Sequence, residues 1–278
     1  MIGMHGFLLE VEAFGFADLL RNFFTHKDFL PSADKIPGTM FTPLHFIFAA
    51  IMATIVVVGV LIVRRLPEIK IKTVFTVLWI LVTVAEATKL TWECFGREFY
   101  FELGGSLPVY PCSIWMYAMP FVIWGKGRAR NAACGYVCTL GLIGGLINFF
   151  YPATILGNYS AISFPGFQTF FYHGAIVFCA FVMMTSGYHR FDHAVCIWDC
   201  FLSVVPAYIM SVFANTANII LGTDYMFFRC NSFFLAPIGA ALPDALSFLL
   251  AYIVYTVFCS LPYLIVYFVK KKKAKVKE

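Results

Sequence analysis

Seven apolar stretches, each close to the ~20 residues a helix needs to cross a bilayer, decide what this 278-residue chain can fold into. They fall at roughly 43–63, 71–93, 108–125, 131–150, 167–186, 195–220 and 244–268. Lipid tolerates no unpaired backbone groups, and these runs lack the alternation of a barrel strand, so each is predicted to be a helix. The expected fold is all-α, a polytopic membrane protein built as a seven-helix bundle. Composition agrees: 61% of residues are hydrophobic and 13% are charged, against about 25% charged in a soluble domain. That excludes an ordinary soluble enzyme and a disordered chain. The net charge of +5 is no nucleic-acid footprint, because the basic residues sit in short blocks between apolar runs.

Those blocks predict orientation. Arg64, Arg65, Lys70 and Lys72 lie between spans one and two, Lys126, Arg128 and Arg130 between three and four, and Arg190 between five and six. Lys270 to Lys273, Lys275 and Lys277 follow span seven. The alternate loops hold only Arg97 and Arg229. The expectation is an outer N-terminus, a cytoplasmic C-terminus and a multi-pass integral membrane location, the cell membrane if the protein is bacterial. Residues 1–40 form an outer tail, 41–268 the transmembrane domain and 269–278 a basic tail suited to anionic lipid. No signal peptide is expected, since Glu10, Glu12 and Asp18 interrupt the first residues. Phe7 to Phe24 suits either a short interfacial helix or a poorly ordered tail.

Polar residues inside a membrane are costly and need a reason. Here they gather toward one end of the spans. Cys112 lies about 8 Å into span three and His173 about 10 Å into span five, at ~1.5 Å per residue. Span two ends with Glu86, Lys89 and Glu93, span four with Asn148, and span six with Asn215 and Asn218. His45 opens span one, Gln168 lies at the start of span five, and Asp244 opens span seven. Local pairing or snorkelling accounts for any one of them. Their convergence at one depth predicts a buried polar site opening outward.

Glu86, Lys89 and Glu93, at i, i+3 and i+7, share one helix face. They suit either a structural ion pair or a wall that binds a headgroup and orients a histidine. Leu107-Pro108-Val109-Tyr110-Pro111-Cys112 opens span three. A Cys one turn into a helix faces free N–H groups, which favour a thiolate; the competing reading is a Cys that only packs. His173, in Phe170-Phe171-Tyr172-His173-Gly174, is placed to serve as its general base or to pack by hydrogen bonding. His189, His193, Cys196 and Cys200, spaced along the expected start of span six, with Cys134 and Cys138 on span four, are too spread out to close one tetrahedral metal site. No metal or cofactor is expected. Cys94 and Cys230, in the outer loops, are candidates for a disulfide.

Several of these motifs occur together elsewhere. Leu-Pro-x-x-x-Cys, the Asn148 that ends the next span, the Phe-Pro-x-Phe and Phe-x-x-His-Gly of span five, and Asn215-x-x-Asn218-x-x-x-Gly222-Thr223-Asp224-Tyr225 before Arg229 resemble the YwaF-like integral membrane proteins. Animal relatives of those proteins are transmembrane acyltransferases of ether phospholipids. The resemblance runs over about residues 40–268. It implies a Cys nucleophile at Cys112 and a His partner at His173. Where many bacterial members carry a His two positions before the Cys, this chain has Tyr110.

The leading expectation is thus a membrane thiol acyltransferase or lipase acting on phospholipid or lysophospholipid, with lipids and no nucleic acid as partners. Cys112 and His173 are the expected catalytic residues. Glu86, Lys89, Glu93, Asn148, Gln168, Asn215 and Asn218 are the expected supporting or substrate-binding residues. The alternative is a non-enzymatic protein that binds or passes a small solute or ion through the same cavity. A third reading holds haem or quinone between His45 and His173.

Overall fold

The computed structural model describes residues 15–96, 107–229, 237 and 241–275. Its regular elements are all helical among those residues. A short α1 (Phe16–Arg21) leads to α2 (Pro43–Val63) and α3 (Glu68–Gly96). Then come α4 (Ile114–Trp124), α5 (Gly127–Tyr136) and α6 (Leu142–Phe150), the last two joined through a π turn at Val137–Gly141. A short α7 (Ala153–Leu156), the long α8 (Phe164–Ser186), α9 (Val205–Leu221) and α10 (Asp244–Lys275) complete the chain. Among the described residues six spans are long and apolar enough to cross a membrane, with α5 to α7 counted as one (Gly127–Leu156) and α9 joined to the 3-10 segment before it (Ile197–Leu221).

The sequence punctuates these helices. Pro43 opens α2, where its missing N–H is not needed. Ser163 caps α8 by accepting from the Gly166 N–H. Gly187 (φ 76°) and Gly222 (φ 67°) end α8 and α9 in the left-handed conformation that glycine adopts without strain. Burial then sorts the helices: 72% of the most apolar stretch of α8 is buried, against 17% for α2. So α8 is the central post. Helix α2 exposes Ile47, Ile51, Ile55 and Ile62 to the surrounding lipid. Gly174 lets the two approach, since a Cβ there would meet Met52 Sδ at 2.7 Å. A second core packs α9 and α10 around Tyr225, Phe228 and Tyr255.

Two expectations need correction. The third span is helical only over 11 residues, about 16 Å, and residues 107–113 form turns. Pro108 and Pro111 supply no N–H and disfavour helix at the residues before them, so helix begins only past them. The sixth span starts at Ile197, and residues 187–196 are non-helical. Asp199 sets that start by accepting from the Val195 and Cys196 N–H groups at 3.0 and 3.2 Å. His189, His193 and Cys196 therefore do not share a helix with Cys200. Residues 7–14 of the expected interfacial helix, the Cys94 side chain and Cys230 lie outside the described residues.

Pro120 lies inside α4 and removes the N–H that would bond Met116 O. The Trp79 indole of α3 replaces it, donating to that carbonyl at 2.9 Å. Trp79→Phe is expected to cost about 1–3 kcal/mol, the penalty for an unpaired buried carbonyl. In a Pro120→Ala background the backbone N–H returns, and the cost of Trp79→Phe is expected to shrink. A thermal-unfolding double-mutant cycle in detergent checks this; additive effects would contradict it.

The basic loops meet at one end of the bundle. Glu68 pairs with Lys72 at 3.1 Å and Arg130 at 3.2 Å. Arg128 pairs with Asp199, and Lys270 with Asp192. His189 is buried there, its Nε2 2.6 Å from the Tyr263 hydroxyl. Burial first, then the nearby His193 and Arg130 charges, push its pKa down to about 3. The folded protein thus keeps His189 neutral, while the unfolded chain takes up a proton near pH 6.5. Stability from this group is complete above about 6.5 and is lost as pH falls toward 3. The melting temperature is expected to drop between pH 7 and 5, and His189→Gln to flatten that slope; an equally steep slope in the variant would refute the assignment.

Candidate functional site

At the opposite end, α3, the turn before α4, α6 and α8 converge. Their polar groups form two hydrogen-bonded sets side by side, one around Glu86 and one around Thr169. Lys89 donates to Glu86 Oε1 at 2.7 Å, and Gln168 Nε2 donates to Glu86 Oε2 at 2.7 Å. Glu86 and Gln168 are only 6% and 4% exposed. The stripe on α3 is therefore an ion pair tied across to α8.

One turn deeper, His173 hydrogen-bonds through Nδ1 to Thr169 O at 2.8 Å. A carbonyl only accepts, so Nδ1 carries the proton and neutral His173 has a bare Nε2. That Nε2 is buried and has no partner among the described residues. Thr169 Oγ1 donates to Asn148 Oδ1 at 3.3 Å, bringing α6 into the site. Gly145 allows this approach, because a Cβ there would lie 2.8 Å from Val177 and 3.3 Å from His173 O.

Cys112 sits in the turn, half-buried, two residues before α4 begins. The expected position inside a first helical turn is thus replaced by a non-helical one. Tyr172 lies eight residues, or about 12 Å, past the start of α8, and its hydroxyl donates to Cys112 O at 3.5 Å. The turn therefore dips into the bundle. Irregular backbone at such depth survives only where protein satisfies its polar groups. Three tyrosines do so. Besides Tyr172, the Tyr136 hydroxyl donates to Pro111 O at 2.8 Å. Leu107 N–H donates to the Tyr225 hydroxyl at 3.0 Å.

Cys112 and His173 lie on neighbouring segments, linked by Tyr172 and by the Trp115–Tyr172 ring contact at 6.2 Å. No hydrogen bond joins thiol to imidazole.

Other expected members lie elsewhere. Asn218 accepts from Tyr225 N at 2.6 Å and Thr223 Oγ1 at 2.9 Å, and donates to Tyr225 O at 3.0 Å. Its amide is spent on the turn after α9, and it reaches Cys112 only by fixing Tyr225. Asn215 faces Tyr252 of α10 at 3.5 Å. Glu86 does not orient His173; Thr169 does. His45 accepts from Phe41 N at 3.1 Å and donates to Phe149 O at 3.0 Å, so neither nitrogen is available as an axial ligand. Sequence reasoning missed Thr169 and the three tyrosines. The i, i+4 spacing of Thr169 and His173 carried a signal, as did the place of Tyr225 in the Asn215-to-Arg229 motif.

Helices that expose apolar side chains around a buried polar network at one end define an integral, multi-pass helical membrane protein with a polar site among its spans. More narrowly, the chain belongs to the TMEM164 family, whose model matches residues 40–271. No curated protein and no solved structure matches it significantly.

Proposed function

We propose that this protein is a membrane thiol acyltransferase acting on phospholipid acyl chains, related in mechanism to the ether-phospholipid acyltransferases that its motifs resemble. One observation carries the proposal: a buried imidazole with Nδ1 pinned to Thr169 O and Nε2 left without a protein partner, beside a turn that presents Cys112. A packing histidine has no use for a bare nitrogen, whereas a general base needs one.

In the proposed cycle the Cys112 thiol gives its proton to His173 Nε2, and Sγ attacks the ester carbonyl of a phospholipid. The tetrahedral intermediate collapses, the C–O bond breaks, and the leaving lysophospholipid alkoxide takes the proton from His173. The acyl chain then remains on Cys112 as a thioester. An acceptor lysophospholipid hydroxyl next gives its proton to Nε2 and attacks the thioester; the C–S bond breaks, and the leaving Cys112 Sγ takes that proton back from Nε2. Water as acceptor turns the same cycle into a lipase reaction. Sγ must turn toward Nε2 on substrate binding, as catalytic hydrogen bonds commonly tighten only in the complex. Asn148, whose Oδ1 is engaged by Thr169 Oγ1, is the proposed oxyanion donor through Nδ2. With the basic end in the cytoplasm, acyl chains reach the site from the outer leaflet.

The test is intact-mass and peptide mass spectrometry of purified protein incubated with phospholipid. An acyl adduct on Cys112 that hydroxylamine removes is expected. Full lipid remodelling by Cys112→Ala would overturn the mechanism. Retention of function in Cys112→Ser with loss in Glu86→Gln would point to solute passage instead.

A further inference from the structure

A second site lies at the basic end, far from Cys112. A cleft of about 670 Å³ opens between the first turns of α3 and the α4–α5 connection. Lys72, Lys126 and Arg130 line it, with Thr73, Thr76 and Trp124. Among the described residues the one carboxylate tied to these cations is Glu68, held by Lys72 and Arg130. Three cations against one carboxylate leave two positive charges in excess.

The donors are held ready. The Arg130 guanidinium stacks on the Tyr188 ring at 4.4 Å, and its buried Nε has no acceptor among the described residues. Lys126 has no ion pair or hydrogen-bond acceptor among them. It precedes α5, whose first N–H groups lack a side-chain cap and add partial positive charge. Thr73 and Thr76 donate back to Ile69 O and Lys72 O, so the cleft offers ammonium and guanidinium donors above all. Its mouth is apolar and open sideways: Ile69 is 70% exposed, Val77 52% and Trp124 57%. A ligand suited to this cleft carries an anionic head and an apolar body lying along the helices.

We propose that the cleft binds the head group of a phosphomonoester lipid from the leaflet at the basic end, with Lys72, Lys126 and Arg130 holding the phosphate. A phosphomonoester dianion matches the excess charge, and the open apolar mouth favours a lipid over free phosphate. This holds whatever chemistry occurs at Cys112.

The experiment is native mass spectrometry of the full chain in detergent, titrated with phosphatidic acid, phosphatidylcholine or inorganic phosphate. Phosphatidic acid is expected to be retained over phosphatidylcholine. Near a membrane surface each basic residue contributes enough to predict about a fivefold loss in Lys126→Gln and about a 30-fold loss in Lys126→Glu. Lys126 is exposed and unpaired, so neither change threatens the fold. A Lys271→Gln/Lys272→Gln variant is expected to bind as wild type. Equal retention of both lipids, loss only in that tail variant, or full displacement by millimolar inorganic phosphate would each overturn the proposal.

Discussion

His173→Gln is expected to lower acyl transfer by about 100- to 10 000-fold, the range that a positioned general base contributes. Glutamine fills similar space but has no basic nitrogen. The variant forfeits the hydrogen bonding of Nδ1 with Thr169, at 2.8 Å to O and 3.4 Å to Oγ1, which is worth about 1 kcal/mol. Nε2 has no partner among the described residues, so nothing further is lost there. Rate and stability are therefore expected to separate, with a large fall in kcat and a change of a few degrees in melting temperature. The measurement follows a labelled acyl chain from donor phospholipid to acceptor lysophospholipid under saturating lipid. An unchanged kcat would mean that His173 only packs. The supporting residues have a different signature. Tyr136 and Tyr225 hold the turn around Cys112 through its backbone, so their loss blurs the position of the thiol without removing a reacting group.

Hydropathy made the lipid-crossing helices legible because burial in lipid leaves a composition that cannot be mistaken. Pro43–Val63 matches its apolar run to the residue. It misjudged span three because an apolar run does not register where backbone hydrogen bonding stops. Pro108 and Pro111 carried that information, and their effect at the residues before them outweighed the hydropathy of Val109 and Tyr110. Charge placement made the two ends of the bundle legible, and depth along the helices brought Cys112 and His173 to one level. What depth does not encode is direction around each helix. Asn148 and Asn218 end spans four and six in similar fashion, yet Asn148 meets Thr169 and Asn218 clamps Tyr225. Nor does a residue's identity reveal its partner. Glu86 was as fit to orient a histidine as to hold Lys89, and only packing against Gln168 decides the matter.

That packing makes Lys89 the position where a single change is expected to harm the fold most. Its ammonium and the Gln168 amide are the donors that the buried Glu86 carboxylate meets in this network. Lys89→Met keeps the length of the side chain but leaves the carboxylate uncompensated in low dielectric. Breaking a buried pair in this way costs about 3–5 kcal/mol, a large share of a typical folding free energy. Lys89→Met combined with Glu86→Gln is expected to recover most of the loss. The neutral amide needs no counter-charge, and its oxygen still accepts from Gln168. Thermal unfolding of the two variants in the same detergent decides between an ion pair built for structure and one kept for function. If the double variant regains both stability and acyl transfer, the pair serves the fold alone. Regained stability without activity would show that the Lys89 charge acts on Cys112 and His173 beside it. A single variant as stable as wild type would show that Lys89 does not compensate the Glu86 carboxylate and would overturn the ion pair's structural role.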